Sequence, residues 1–411
     1  MGSGAVAGNG PHLPRERARP YSWKMMQAFG TEAFIATLAI LGVVIVISAL
    51  LSGVIERSGF PQVAVFLALG ALLGPWGLGW MDFPLDSPWL RVIASLALVL
   101  VLFSDALTVD VKEAKRHGRL ALLVLGPGTM LSAALVALAG RALLDLSWPA
   151  AVLLGAALAS TDPVLLRGLL RRPDLPPPVR HALGLESGMN DGVLLPVVLV
   201  GIVFLAEGPA GGAAGWGRRI FDVLVLGPAV GVAVGFVAVA LLDWIRRRWS
   251  VRRDYESLYA LGVAFTAFAG AEALGASGFL AAFASGLTIA ALDVELCDCF
   301  LDYGQASAEM GLLFTFVAFG TSVVWTGLGA MSGVAWAFVV VALLVRPAVL
   351  LGALAGERLD RRSRAFIVWF GPRGLSSLLL VLLPVFAGIP GSEQLFAIVS
   401  VVVLVSVVIH G

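Results

Sequence analysis

The sequence predicts an all-α polytopic membrane protein of about 13 transmembrane helices, built as two inverted six-helix repeats with a pair of broken, crossing helices. Apolar residues make up 59% of the 411 residues and charged residues 13%, whereas a soluble domain has roughly 45 to 50% and about 25%. The apolar residues fall in runs close to the roughly 20 residues that span a bilayer. Two of these runs are interrupted where a proline adjoins a charged residue, at Asp162-Pro163 and Pro372-Arg373. The net charge of +1 excludes a strongly basic surface for nucleic acid.

The apolar runs give thirteen candidate spans, of which two are short, at 60–74 and 277–292. A polar N-terminal segment, residues 1–30, precedes the first span, and no small-residue cleavage site separates the two, so we expect it to stay attached. The spans begin near residues 31, 60, 89, 118, 148, 178, 219, 255, 277, 306, 330, 363 and 391. We therefore expect a single transmembrane domain over residues 31–411.

Basic residues are distributed unevenly between alternate loops. One set of loops carries 18 arginine and lysine residues, whereas the other set carries 4 besides those of the N-terminal segment. By the positive-inside rule, the first set is cytoplasmic. An odd number of spans then places the N-terminus outside and the C-terminus in the cytoplasm. The expected location is the cell (inner) membrane, with the chain crossing it many times.

An internal repeat is indicated by matched features in the two halves of the chain. Ser58-Gly59-Phe60 opens the first short span, and Ser277-Gly278-Phe279 opens the second 219 residues later; Asp162 and Arg373 lie 211 residues apart. We predict one repeat over about 31–207, a linker helix over about 219–242 and a second repeat over about 255–411. Because one span joins two six-span units, the second unit is inverted. Inverted repeats with paired broken helices are typical of secondary transporters; the alternative is that glycine and proline are simply frequent in membrane helices.

Six charged residues lie well inside apolar segments, where each is costly to bury and a functional role is the default hypothesis. They are Asp105, Asp162, Glu186, Asp191, Arg346 and Arg373. Four acids and two bases leave an excess of two negative charges. That excess suits a cation or a proton as the substrate and argues against an anion.

Asp162 lies at the first interruption. A residue before proline disfavours helical geometry and proline has no N–H, so we expect the chain to unwind here and leave carbonyl oxygens free. Those oxygens and the carboxylate are the groups that a monovalent cation needs in place of its hydration shell. The alternative is a kink at which Asp162 only caps the N-terminus of a half-helix.

Polar residues on the next span fall in two rows. Glu186 and Asn190 are four residues apart and share one face, while Ser187 and Asp191 share an adjacent face. One row can serve structure and the other transport. Asp191 can hold either a proton or a cation but not both, and this competition is sufficient for exchange.

The two buried arginines have separate expected roles. Arg346 is a lone base in an apolar run, so a carboxylate partner is expected, and Glu186 is the candidate. Arg373 lies in the second interruption, where its charge can offset the exposed C-terminal carbonyls of a half-helix. The alternative for both is that the side chains extend to the membrane surface.

Three motifs together resemble those of monovalent cation/proton antiporters of the NhaP and animal sodium/proton exchanger branch. They are Thr161-Asp162-Pro163, Glu186-Ser187 followed by Asn190-Asp191, and Gly371-Pro372-Arg373-Gly374. The resemblance extends from the first span to His410. It implies a secondary transporter, not an enzyme, that exchanges Na⁺, or otherwise Li⁺ or K⁺, for H⁺ by alternating access in pH homeostasis. It also implies a homodimer in membrane lipid, with no cofactor and a core domain that moves like an elevator.

The resemblance also implies roles for particular residues. Asp191 is the carboxylate that binds the cation and the proton, and Thr161, Asp162 and Ser187 line the site, with the cation at Asp162 and Asp191. Asp105 matches an acidic position near the cation path.

Other implied roles are structural or set the stoichiometry. Glu186 and Arg346 form an ion pair, and Arg373 supports the site. Electrogenic relatives carry aspartate at the position of Asn190. Asparagine there leaves Asp191 as the only titrating member of the pair, which implies electroneutral exchange.

The same buried acids leave two other kinds of protein as alternatives. A proton-independent cation channel or a regulated potassium efflux protein would use the same buried acids for passive flux. An intramembrane aspartyl protease would need two aspartates that share a proton. It would also carry a Gly-x-Gly-Asp signature and a Tyr-Asp pair, and neither occurs in the sequence.

Overall fold

The computed structural model describes residues 62–109, 118–208, 212–249, 253–292 and 310–410, with short gaps in the first, second and last of these ranges, and a few positions between 38 and 50. All regular secondary structure in these ranges is helical. The N-terminal segment 1–30 and the predicted repeat element Ser58-Gly59-Phe60 lie outside the described residues.

The structure describes the following helices in chain order. In order they are α1 (Gln62–Leu73), α2 (Pro88–Leu107), α3 (Gly118–Leu123), α4 (Thr129–Leu143), α5 (Trp148–Ala159), α6 (Pro163–Leu170), α7 (Pro177–Glu207), α8 (Gly212–Phe221), α9 (Gly227–Arg246), α10 (Arg253–Ala273), α11 (Gly278–Ala291), α12 (Gly333–Ala353), α13 (Arg361–Trp369), α14 (Leu375–Phe386) and α15 (Ser392–His410). Two π-helical turns, Val124–Gly128 and Asp222–Leu226, join α3 to α4 and α8 to α9. Residues 313–321 are also helical.

The all-α polytopic fold predicted from the sequence is confirmed. Among the residues that the structure describes, six helical segments are long and apolar enough to cross a membrane: Pro88–Leu107, Val124–Leu143, Pro177–Glu207, Ala214–Arg246, Gly333–Ala353 and Ser392–His410. Shorter apolar helices include α1 and α11, which correspond to the two predicted short spans. The count of 13 spans and the relation between the two repeats stay predictions.

The linker helix differs from the prediction of about 219–242. Its apolar segment is continuous from Ala214 to Arg246, because α8 runs without a break through the second π-helical turn into α9. Arg218 and Arg219 are two of the four basic residues that the sequence analysis counted in the second set of loops. They lie in the last turn of α8, where both are exposed. Arginine is a good helix former, so a pair of arginines did not mark the end of this helix.

Small residues set the distance between α9 and α11. Gly227, Gly231 and Gly235 recur every four residues along α9, and a Cβ at any of them would collide with the backbone of the segment 277–285. Stripes of small residues let membrane helices approach closely. This contact fixes one face of α9 against the rest of the protein and leaves its other face toward α10 and the surroundings.

Both interruptions predicted from the sequence are present, and the two broken helices meet at them. The first separates α5 from α6 at residues 160–162, and the second separates α13 from α14 at residues 370–374. The backbone N–H of Asp162 donates to the carbonyl of Pro372 at 3.0 Å. Residues 375–384 of α14 are all buried, so this crossing lies inside the protein and not at its surface.

Candidate functional site

Arg373 closes the end of the half-helix α5. Its Nη1 donates to the carbonyls of Ala159 at 2.8 Å and Ser160 at 3.1 Å, and its backbone N–H donates to Ser406 Oγ at 2.7 Å. The arginine is 2% exposed. The positive charge therefore sits on the C-terminal carbonyls of a half-helix, as the sequence predicted. The alternative, that the side chain extends to the membrane surface, is wrong.

Asp162 performs the matching task at the start of the half-helix α14. Its Oδ2 accepts a hydrogen bond from the backbone N–H of Leu375 at 2.5 Å. A carboxylate is stabilised at a helix N-terminus by the unpaired N–H groups and the helix dipole. Asp162 thus caps a half-helix, and the half-helix that it caps belongs to the second broken helix. Its expected role as a cation ligand stays a prediction.

Glycines at 371 and 374 make room for the two charged side chains. A Cβ at Gly374 would overlap the Asp162 carboxylate, and a Cβ at Gly371 would overlap the Arg346 guanidinium. Glycine is needed at position 374 because Asp162 approaches it closely.

Gly374→Ala is expected to impair transport and to destabilise the fold. The added methyl group must push Asp162 away from the N-terminus of α14, and overpacking of this kind costs about 1 to 3 kcal/mol. Thermal unfolding of the detergent-purified protein and vesicle transport check this result. Gly352→Ala is the matched control, because a Cβ at Gly352 meets nothing within 4 Å. Equal behaviour of the two variants would contradict the steric argument.

Asp191, on α7, faces the first interruption. Its Oδ1 accepts from Ser160 Oγ at 2.5 Å, and the hydroxyl of Ser376 and the negative charge of Asp162 lie close enough to act on it. Asp191 is 2% exposed. Its Oδ2 has no hydrogen-bond partner among the residues that the structure describes. One carboxylate oxygen is thus held by a hydroxyl, and the other is available to a ligand.

Asn190 fastens α7 to the unwound segment. Its Nδ2 donates to the carbonyl of Thr161 at 3.0 Å and to Thr161 Oγ1 at 2.6 Å. An aspartate at this position could not donate either bond. Ser187, which was expected to line the site, is buried but donates to the carbonyl of Gly184 in its own helix at 3.3 Å. Of the two residues predicted to share this face, Ser187 and Asp191, Asp191 is therefore the one that contacts the first helix break.

Glu186 and Arg346, which were expected to pair, form a bidentate ion pair. Arg346 Nε lies 2.9 Å from Glu186 Oε1 and Nη2 lies 2.6 Å from Oε2, and each side chain is 4% exposed. Arg346 Nη1 donates in addition to the carbonyl of Val368 at 3.1 Å. The pair connects α7, α12 and the end of α13, so it holds the helix of Asp191 beside the second interruption.

Asp105 differs from this buried group in its burial. It occupies the last turn of α2 and is half-buried. The sequence argument counted it with the deeply buried charges. Within the described part of the chain, the fully buried ionisable side chains are three acids and two bases: Asp162, Glu186, Asp191, Arg346 and Arg373. The buried excess is therefore one negative charge and not two.

Two site serines were missed by the sequence argument. Ser160 donates to Asp191, and Ser376 lies beside the same carboxylate. Both positions adjoin the motifs, since Ser160 directly precedes Thr161-Asp162-Pro163 and Ser376 lies two residues after Gly374. Their adjacency to the interruptions was the available signal. Carboxylate and hydroxyl oxygens together form a hard donor set, which suits an alkali cation better than a soft metal.

Comparisons with known proteins agree with this geometry. The family model described as sodium/hydrogen exchanger, transmembrane, matches residues 42–411. The K(+)/H(+) antiporter NhaP of Alkalimonas amylolytica is 29% identical over 387 residues, which are 92% of this chain and 66% of that protein. The Na(+)/H(+) antiporter NhaG of Bacillus atrophaeus is 24% identical over 391 residues, which are 90% of this chain and 72% of that protein.

A solved structure has the same fold. The sodium proton antiporter MjNhaP1 from Methanocaldococcus jannaschii superposes with a TM-score of 0.75 at 19% sequence identity, over 91% of this chain and 96% of that chain. The chain spans just under two thirds of the length of the NhaP relative. The family match, in contrast, covers nearly all of the chain and includes every residue of the buried site. The chain belongs to the sodium/hydrogen exchanger family.

Proposed function

We propose that the protein is a secondary antiporter that exchanges a monovalent cation for H⁺, with the two ions competing for Asp191. The observation that carries the proposal is the position of this carboxylate. It is buried between two crossing helix breaks, beside Asp162, and one of its oxygens has no hydrogen-bond partner among the described residues. The names of the NhaP and NhaG relatives support the same class of activity.

Competition at one carboxylate is sufficient to couple the two fluxes. An ionised Asp191 carries a charge that is costly to move through the membrane, whereas a bound cation or a bound proton neutralises it. The occupied site can therefore change its accessibility from one side to the other, and the empty site cannot. A cation released on one side is replaced by a proton there, and the return movement carries that proton.

The cation is the less constrained part of the proposal. We propose Na⁺ as the substrate, with Li⁺ and K⁺ as alternatives. Of these two alternatives, K⁺ is the one that the name of the NhaP relative supports. Purified protein in proteoliposomes with an internal pH dye tests the proposal when each cation is added in turn. Dequenching with one of these cations supports exchange and identifies the ion. Passive cation flux that leaves the proton gradient unchanged would instead indicate a channel.

Exchange is expected to be electroneutral. The fully buried ionisable groups in the described part of the chain, three acids and two bases, sum to one negative charge when all are ionised. One monovalent cation or one proton is then enough to neutralise the site, so the two half-cycles move equal charge. A membrane potential set by an ion other than the transported cation, with the pH gradient and the cation gradient held fixed, should leave the exchange rate unchanged. A rate that follows the potential would contradict one-for-one exchange.

We also propose the membrane arrangement that the sequence indicated. The chain lies in the cell (inner) membrane with its arginine-rich loops and its C-terminus in the cytoplasm, its N-terminus outside, and two copies forming a homodimer. Repeats over about 31–207 and 255–411 would place one broken helix in each half, and the contact between the two breaks supports that division.

A further inference from the structure

The aromatic ring of Phe283, on α11, packs onto α7 beside Asp191. A Cβ at Gly192 would overlap three carbon atoms of this ring, and Gly192 directly follows Asp191 in the sequence. The ring can lie this close to the helix because position 192 carries no side chain. Phe283 therefore reaches the backbone of α7 at the level of the proposed ion site.

A cavity of about 720 Å³, here called the outer cavity, lies on one side of this contact. Residues late in α7, such as Leu199, and early in α11, such as Phe279, line it, so the two helices run in opposite directions along it. Three exposed charged residues also line it, at the side of the membrane that we propose as outside: Arg91, Arg219 and Glu272. Phe283 lies one helical turn beyond Phe279. It thus lies between the outer cavity and the level of Asp191.

On the other side of Phe283, the same face of α7 is uncovered. Gly184, Gly188 and Gly192 are four residues apart and share this face. A Cβ at Gly188 or at Gly184 meets no described atom within 4 Å, whereas Gly192 is covered by the ring. In this structure Phe283 therefore closes Asp191 off from the outer cavity, and open space begins one turn along α7 in the opposite direction.

The contact between α7 and α11 differs from the contacts that hold α11 to its other neighbours. A Cβ at Gly231 of α9 would overlap the backbone of α11, and a Cβ at Gly286 of α11 would overlap the backbone of α2. At Gly192, in contrast, the nearest atoms all belong to the end of the Phe283 side chain. A ring can move from one glycine to the next without separating two closely packed backbones. The helix of Asp191 can therefore shift along α11 at this contact.

We propose that Phe283 is the barrier between Asp191 and the outer cavity, and that alternating access moves the ring by one helical turn of α7, from Gly192 to Gly188. This inference rests on the antiport activity proposed above. Four residues of helix correspond to roughly 6 Å, and one-turn shifts of one element past another occur in other proteins. After the shift Asp191 lies on the outer side of the ring. Its bound cation or proton then has access to the outer cavity.

Gly188→Val tests the proposal through transport and stability together. In this structure the valine side chain enters open space, so the variant should unfold in detergent at about the same temperature as the natural protein. In the shifted state the valine occupies the position of the ring, and cation-dependent proton exchange in vesicles should fall about tenfold or more.

Gly184→Val is the matched control, because a Cβ there is equally free of described neighbours but lies one turn beyond the proposed shift. It should exchange at the natural rate. Full exchange by a folded Gly188→Val variant, or an equal loss in Gly184→Val, would overturn the proposal. Absence of cation-dependent proton flux in the natural protein would instead refute the antiport activity itself.

A cysteine pair tests the shift even if Gly188→Val does not fold. Phe283→Cys is combined with Gly188→Cys, or with Gly184→Cys as the control, after the natural Cys297 and Cys299 are replaced with serine. Hg²⁺ binds thiolates and should bridge the pair at 188 and 283, which protects both thiols from maleimide labelling. The pair at 184 and 283 should stay open to labelling. Equal labelling of the two pairs after Hg²⁺ would contradict a one-turn shift.

Discussion

Replacing Asp191 with asparagine is expected to abolish cation-dependent proton exchange, so that vesicles containing the variant match protein-free vesicles. The amide keeps the size of the side chain and can still accept the hydrogen bond from Ser160. It carries no charge and does not titrate, so a proton and a cation can no longer compete for it. Because a buried carboxylate without a full set of partners is costly, we also expect the variant to unfold at a higher temperature than the natural protein.

The combination of lost transport and raised stability distinguishes a site residue from a structural one. Dequenching of an internal pH dye measures transport, and thermal unfolding in detergent measures stability. Asp145→Asn is the matched control, because it makes the same chemical change at a side chain that is 95% exposed. Cation-dependent proton flux in the Asp191 variant would remove this residue from the centre of the mechanism.

The partners of the deeply buried charges could be predicted from the sequence, because burying an unpaired charge costs so much free energy that few pairings are possible. Arg346 is a lone base in an apolar run, so a carboxylate partner was expected, and Glu186 was the candidate. The ion pair between them followed from energy rather than from pattern. The breaks at Pro163 and Pro372 followed in the same way, since proline removes a backbone donor wherever it stands.

The role of Asp162 could not be settled from the sequence. Its own helix break was visible, but the helix that it caps begins at Leu375, more than two hundred residues away. Only the packing of the two broken helices shows which half-helix lies opposite the carboxylate. Asp105 was counted among the deeply buried charges for a related reason. The sequence of an apolar helix does not show whether a polar residue on it faces the protein interior or the surroundings.

The serines around Asp191 were missed because a hydroxyl gives a weak signal. Serine is well tolerated in membrane helices, where it can bond to its own backbone, as Ser187 does to Gly184. Ser160 differs because it lies at the start of the unwound segment and donates to Asp191 instead. A polar residue next to a predicted helix break is therefore a better candidate for a site residue than the same residue one turn inside a helix.

Arg346→Ala is expected to destabilise the protein by about 3 to 5 kcal/mol, because it leaves the Glu186 carboxylate buried without its partner. The loss also frees the carbonyl of Val368, to which Arg346 donates. Thermal unfolding in detergent measures the effect. Arg141→Ala is the matched control, since the Arg141–Asp145 pair has side chains 40% and 95% exposed, and exposed pairs contribute little to stability.

A double variant separates the cost of an unpaired charge from the value of the pair. Replacing both members with apolar residues of similar volume, Glu186→Leu with Arg346→Met, removes both buried charges at once. Such exchanges are often neutral or stabilising in other proteins, so the double variant should recover most of the stability that Arg346→Ala loses. A double variant as unstable as Arg346→Ala would show that the hydrogen bonds of Arg346 to Glu186 and to Val368, rather than charge compensation, hold α7 beside the second helix break.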